Sequence, residues 1–239
     1  MDLIECSINK NRHPWELSRA IRVLKIVGKM EYKTCIDIGS GDQYFVKKMA
    51  KLRPEAIYYS VDTGYSNSDC GRKDNIITTN KIKKTTEKAD LMVLMDVLEH
   101  VQDDNKMLAE SLCHAQDGAN VIITVPAIQR LFSEHDAQLK HFRRYSRRQL
   151  KQLCEENNVK IESLHYFYFS LFVVRSLEKL FRRKSKKIGL SGWSHPQSSM
   201  TTRTITAIMN ADFAVCSVLS YFRIHPPGLS LVLVGKILK

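Results

Sequence analysis

Residues 34–42 read Thr34-Cys-Ile-Asp-Ile-Gly-Ser-Gly-Asp42, a short apolar strand carrying an acid and followed by two glycines spaced by one residue. A buried strand must turn sharply into a helix here. Glycines at 39 and 41 let the backbone bend and approach a ligand with no side chain intervening. The stretch predicts the opening turn of a nucleotide-cofactor fold. Downstream, Ala56-Ile-Tyr-Tyr-Ser-Val61 forms a second strand that ends in Asp62, 21 residues after Gly41. An acid at that strand tip faces the cofactor crevice and accepts hydrogen bonds from ribose hydroxyls. Gln43 and Tyr44 stand where a dinucleotide fingerprint would want small residues, which favours a nucleoside-type cofactor.

Further along, Ala89-Asp-Leu-Met-Val-Leu-Met95 is a buried strand leading into Asp96-Val-Leu-Glu-His100. With these motifs in this order the chain resembles the class I S-adenosylmethionine-dependent methyltransferases. Within them it is similar to the type 11/12/23 methyltransferase domains, found among enzymes that modify polysaccharides and other small molecules. His13-Pro-Trp-Glu16 with Arg19, Val125-Pro-Ala127, Ser133-Glu-His-Asp136, His141-Phe-Arg-Arg-Tyr145 and Gly228-Leu-Ser-Leu231 extend the resemblance over nearly the whole chain. It implies S-adenosylmethionine as cofactor and S-adenosylhomocysteine as product, bound by Asp37, Gly39, Gly41, Asp62, Asn80 and Asp96. Asp37 would steady the loop and the methionine end of the cofactor, and Asn80 stands where an acid often ends the third strand.

Strands at 34–38, 56–61, 75–79, 91–95, 119–125, 159–166 and 230–237 alternate with helices at 14–30, 43–52, 103–115 and 146–157. Such alternation predicts a Rossmann-like, doubly wound α/β fold: a mostly parallel seven-stranded sheet with helices on both faces. Segment 63–74 is rich in Gly, Ser, Asn and Asp and reads as a surface loop, and 81–88 as a solvated crossover. One domain is expected over 1–239, with a covering helix in 1–30, a cofactor-binding core in 31–166, a helical insertion or substrate cap in 167–228 and the last strand in 229–239.

The chain carries 37 basic against 25 acidic side chains, a net charge of +12, which favours an anionic partner such as a phosphate-bearing substrate, a membrane surface or nucleic acid. Its six cysteines are scattered without C-x-x-C pairs, which argues against a zinc site or disulfide framework and suits a reducing cytoplasm. The N-terminus lacks the order of a signal peptide. No window reaches about 18 uninterrupted apolar residues, the length a membrane span needs.

Asp37 also reads as a cap for free N–H groups of its loop. Asp96 with Glu99 reads either as a capping box for a following helix or, through Asp96, as a cofactor or acceptor contact. His100 reads as a helix residue packed beside the site. The polar segment 133–145 follows the fifth strand and should lie at the cofactor edge of the sheet. There His135 or His141 could take a proton from an acceptor hydroxyl. Arg143 or Arg144, beside Tyr145, could hold a phosphate or carboxylate of the substrate. No helical i, i+4 spacing unites His135, Asp136 and His141, so no metal is assigned. The aromatic and basic stretch 166–187 reads as a core-packed helix with a charged end, or as an interfacial element that meets anionic lipid.

The resulting expectation is a cytoplasmic methyltransferase, peripheral at the inner face of the membrane. It would methylate a small-molecule, sugar or lipid-linked acceptor, on oxygen by the analogy with the family. An RNA methyltransferase is the alternative that the charge suggests, set against the lack of a separate RNA-binding module. A non-catalytic binding or scaffold protein that retains the fold is the other.

Overall fold

A strand covered on both faces reads as a continuous apolar run, because no position meets water. Thr34–Ile38 (β1) is buried at all five positions. Its alternate side chains feed two cores: Cys35 packs with Tyr58, Leu91 and Val93 on one face, Ile36 and Ile38 with Met92, Leu94 and Ile123 on the other.

The computed structural model describes residues 11–82, 88–181 and 195–239. Over them run α1 (Pro14–Val27), β1, α2 (Tyr44–Leu52), β2 (Ile57–Val61), β3 (Gly71–Lys73), β4 (Ile76–Thr79) and β5 (Ala89–Met95). Then come α3 (Asp104–Leu112), β6 (Ala115–Pro126), α4 (Glu134–Gln138), α5 (Arg147–Glu156) and β7 (Val159–Phe167). The chain closes with α6 (Phe169–Phe181), α7 (Met200–Tyr221) and β8 (Ser230–Ile237).

The sheet order is β3-β4-β2-β1-β5-β6-β8-β7. The central pairs are parallel, β8 runs antiparallel between β6 and β7, and β3 is antiparallel to β4. The order reverses between β1 and β5, so the crevice expected of a doubly wound sheet opens at their carboxyl ends.

All seven expected strands are present, and the doubly wound class holds. The count is corrected to eight: residues 71–73, read as loop, pair with β4, and the chain reverses through Asp74 at φ +54, a conformation Asp tolerates in tight hairpins. The capping-box reading of Asp96 and Glu99 is also corrected. Asp96 sits at φ +54 and opens only a short 3-10 turn, Leu98–His100. The helix itself starts at Asp104, where Asp103 accepts the Lys106 N–H at 2.9 Å. In the expected crossover 81–88, residues 83–87 lie outside the described residues.

The interval 167–228 does carry two helices, α6 and α7. The basic run 182–187 lies outside the described residues. On α7, Thr202, Thr206, Met209, Phe213 and Cys216 are buried at helical spacing. Ser18 on α1 donates to Asn210 at 3.2 Å. Asp212 accepts the Phe169 and Ser170 N–H groups at 3.0 and 2.7 Å, and so caps α6 from α7. Gly228 lies on the backbone of Phe167, where a β-carbon would come within 2.2 Å of the carbonyl oxygen.

Candidate active site

The glycine turn is fixed from several sides. Gly39 (φ +67) and Ser40 donate their N–H groups to Val61 at 2.8 and 3.1 Å. A β-carbon on Gly39 would stand 2.5 Å from Val97 Cγ2. Gly41 (φ +53) donates to Asp62 Oδ2 at 2.9 Å, and its carbonyl accepts the Tyr65 hydroxyl at 2.6 Å. Gln43 itself takes φ +64, and its amide donates to Thr78 Oγ1 at 2.9 Å. The left-handed turn is thus kept without a third glycine, at a strain of about 1–2 kcal/mol for a residue with a β-carbon.

Asp62 is half-buried and accepts one N–H on each oxygen, from Gly41 and, at 2.8 Å, from Gly64. A carboxylate has about four acceptor positions, so two remain for a ribose diol. Asp37 is almost fully buried and accepts the Ser40 hydroxyl at 2.7 Å. Burial pushes its carboxyl up to about 7, against the opposing effect of that hydroxyl. Asn80 follows β4 and reaches toward Tyr65 O and Asn67, each at 3.4 Å. Asp37, the glycine turn, Asp62 and Asn80 thus come together at the carboxyl ends of β1, β2 and β4.

α1 and the residues leading into it are tied to the same edge of the sheet by ion pairs. Arg12 pairs with Asp42 of the glycine turn and with Glu16 at 3.0 Å, and its guanidinium lies 4.1 Å from the Tyr44 ring centre. Seven residues after Arg12, Arg19 pairs with Asp96, whose other oxygen accepts the Thr124 hydroxyl at 3.0 Å. The sequence motif around Glu16 and Arg19 carried no assigned role. The signal was present, since Glu16 and Arg19 fall at i and i+3 in the first turns of the helix and Arg12 lies four residues before Glu16.

Segment 133–145 lies at the same edge, as expected, and is organised by Asp136. This carboxylate accepts the Ser133 N–H and hydroxyl, each at 2.8 Å, and both arms of Arg144 at 2.8 and 3.0 Å. His141 Nδ1 meets its Oδ1 at 3.1 Å. Burial would raise the Asp136 carboxyl, but the bonds from His141, Arg144 and Ser133 outweigh it and hold it below the usual range.

The three expected substrate contacts are committed internally. Arg144 holds Asp136, Arg143 pairs with Asp104 at 2.9 Å, and the Tyr145 hydroxyl donates to Asp104 at 2.6 Å. His135 is half-buried, and burial lowers its imidazole. His13, at the start of α1, is pushed down to about 4 by burial and by the positive potential of His135 and Arg175. Both imidazoles are thus disposed to be neutral, and Arg175 of α6 is the cation whose field reaches them.

The turn after β5 adds Glu99. It is fully buried, and no other residue donates a hydrogen bond to either carboxylate oxygen. Burial pushes it up to about 8, although Arg19 and Arg144 act in the other direction. The Phe142 N–H donates to the Glu99 carbonyl at 2.7 Å, which ties this turn to His141. The His100 and His141 rings meet edge to face at 4.6 Å.

A sequence profile of the family described as "Methyltransferase domain" matches residues 16–164. Among solved structures, an S-adenosylmethionine-dependent methyltransferase from Archaeoglobus fulgidus is 17% identical, with a TM-score of 0.55 over 93% of this chain and 94% of that one. The N-methyltransferase NodS from Bradyrhizobium japonicum WM9, in complex with S-adenosylhomocysteine, is 11% identical, with a TM-score of 0.52 over 95% and 89%. Phosphoethanolamine N-methyltransferase 2 from Haemonchus contortus, in complex with S-adenosylmethionine, is 15% identical, with a TM-score of 0.55 over 92% of this chain and 52% of that one. At these identities the likeness is one of fold. No curated protein sequence matches the chain.

Proposed function

The chain belongs to the methyltransferase-domain family, and on that premise we propose that it transfers the methyl group of S-adenosylmethionine to a hydroxyl of a sugar or lipid-linked acceptor. Asp62 would take the ribose hydroxyls, with Gly39 and Gly41 giving the backbone room beside them and Asp37 behind the turn. Bound there, the cofactor supplies an electrophilic methyl on a sulfonium. What the chain must add is alignment of the acceptor and exclusion of water.

The observation that carries the oxygen-directed reading is the contact between Asp136 and His141. A carboxylate on Nδ1 fixes the tautomer that leaves Nε2 as a base, the arrangement a hydroxyl acceptor needs to lose its proton. His135 is the second base at the same edge. Arg175, whose field reaches both His13 and His135, would meet a phosphate on the acceptor, the role first expected of Arg143 and Arg144.

The lipid-linked class draws support from α6 and α7. Opposite its packed face, α7 exposes Ile208, Val215 and Val218, and the chain continues through exposed Phe222 and Ile224. On α6, Phe169, Val173, Val174 and Leu177 are exposed as well. α7 is long and apolar enough to cross a membrane by length and composition, with a mean hydropathy of 1.2 over its best window. Its other face is packed on α1 and β7, however, and an interfacial seat suits a helix already half engaged in a sheet protein. The same reading puts the enzyme in the cytoplasm at the inner membrane face. The free thiols of Cys35, Cys70, Cys113, Cys154 and Cys216 suit that compartment.

The test supplies S-adenosylmethionine labelled in its methyl group, together with a glycolipid extract and anionic liposomes. The expected result is alkali-stable label in the organic phase and flotation of the protein with the liposomes at low salt. Label confined to water-soluble amines, or a protein that stays at the bottom of the gradient, would overturn the reading.

A further inference from the structure

We propose that Glu99, His100 and His141 bind a divalent transition-metal ion beside the cofactor crevice. Each offers one ligand atom, and the three atoms lie within 4.8 Å of one another. One carboxylate and two imidazoles are the donor set of many zinc, manganese and iron sites. An ion about 2.1 Å from each donor would draw them together by about an ångström, a movement that side-chain torsions supply.

The decisive member is Glu99. A buried carboxyl ordinarily finds a cation or several donors, and without them it is driven to its neutral, protonated form. Glu99 is 0% exposed and no other residue donates a hydrogen bond to either of its oxygens. The two guanidiniums that act on it electrostatically, Arg19 and Arg144, are already held by Asp96 and Asp136. The group that would satisfy it is a cation shared with the adjoining imidazoles.

The surroundings match what a metal site needs outside its ligands. His141 presents Nδ1 to Asp136, which leaves Nε2 as its ligand nitrogen and makes that nitrogen more basic. Asp136 is fixed in turn by Ser133 and Arg144. The Phe142 N–H bond to the Glu99 carbonyl holds the two halves of the cluster in register. The only metal set weighed from the sequence, His135, Asp136 and His141, shares just His141 with this trio.

With three protein ligands, the ion keeps open positions. Resting on the oxygen-directed reading above, the acceptor hydroxyl would take one of them and lose its proton to His135 or to water. Its oxygen would then bond to the methyl carbon as the carbon–sulfur bond breaks, with the electron pair retained by sulfur. His141 then serves as a ligand, and the ion takes over the task of acidifying the hydroxyl.

Metal binding is measurable without acceptor or turnover, so its failure and that of the oxygen-directed reading are separable. Chelator-stripped full-length protein is titrated with Co²⁺, followed by visible absorption, and with Zn²⁺ and Mn²⁺ by calorimetry. The expected result is one ion per chain with low-symmetry Co²⁺ bands. Glu99→Gln and His100→Asn should weaken binding at least tenfold, while the surface variant His195→Asn binds like wild type. Absence of the Co²⁺ bands in wild-type protein, or equal binding by all variants, would overturn the site. Wild-type bands alone decide the matter if a variant does not fold. Should the site bind metal while label transfer to hydroxyls proceeds at full rate after chelation, the role in transfer falls.

Discussion

Asp62 grips Gly41 through its N–H at 2.9 Å, so the acid expected to face the cofactor ribose is also the brace of the glycine turn. One carboxylate shapes the cavity and furnishes acceptors to it. Asp62→Ala should therefore weaken S-adenosylmethionine binding by about 2–3 kcal/mol, roughly 30- to 150-fold, since it removes hydrogen bonds to a charged group and loosens the turn. Calorimetry on the folded variant decides this, and an unchanged affinity would move the ribose site elsewhere.

Gly39 answers to two constraints that can be separated. Its φ of +67 disfavours any other residue, and a β-carbon would meet Val97 Cγ2 at 2.5 Å. Gly39→Ala should cost more than the ~1–2 kcal/mol of the left-handed conformation alone. Adding Val97→Ala, which removes the opposing methyl, should bring the loss measured in urea back toward that value. A double variant no more stable than the simple sum of its parts would show that the contact carries no weight.

Arg144 distinguishes a framework role from a substrate contact. Its two arms hold a fully buried Asp136, so Arg144→Met leaves that carboxylate with only Ser133 and His141. The expected loss of stability is about 3 kcal/mol, the lower end for breaking a buried pair. A variant with unchanged melting temperature and a raised KM would return Arg144 to substrate binding.

The pH dependence of the cofactor-free protein follows from Asp37. Its carboxyl is raised by burial from 3.8 to about 7 in the folded protein, so the folded state holds a proton that the unfolded chain releases across that window. Stability should therefore be greatest below the unfolded value and fall as pH rises toward 7, by on the order of 3–4 kcal/mol at most. Asp37→Asn should flatten this slope between pH 5 and pH 7.5 in thermal melts, and an equally steep slope in the variant would assign it to other groups.

Much of the fold was legible in the sequence because burial on both faces forces strands such as Thr34–Ile38 to be apolar throughout, and glycines mark the turn where a side chain would block the crevice. The crevice residues Asp37, Gly39, Gly41 and Asp62 share that local logic. Charged residues do not advertise their partners in this way. Nothing in the run His141 to Tyr145 tells that Arg144 turns inward to Asp136, or that Arg143 and Tyr145 both reach Asp104. Likewise Glu99 looked like half of a capping box until Asp96 took a left-handed turn and the helix start moved to Asp103. Spacing along the chain reports neighbours within one element, whereas these pairs are made by the closure of the sheet.

The last residue of β7, Phe167, is paired with the first of β8, Ser230, and Gly228 rests on the Phe167 backbone. The chain thus leaves the sheet and re-enters it at one point, with α6 and α7 between. The sheet is indifferent to the length of an excursion whose two ends are already joined, since a longer closed loop adds little entropic cost. The stretch between those ends is therefore free to vary in length, provided the α7 face packed on α1 and β7 is kept. Change on the outward faces of α6 and α7 would then leave the sheet's own pairing untouched.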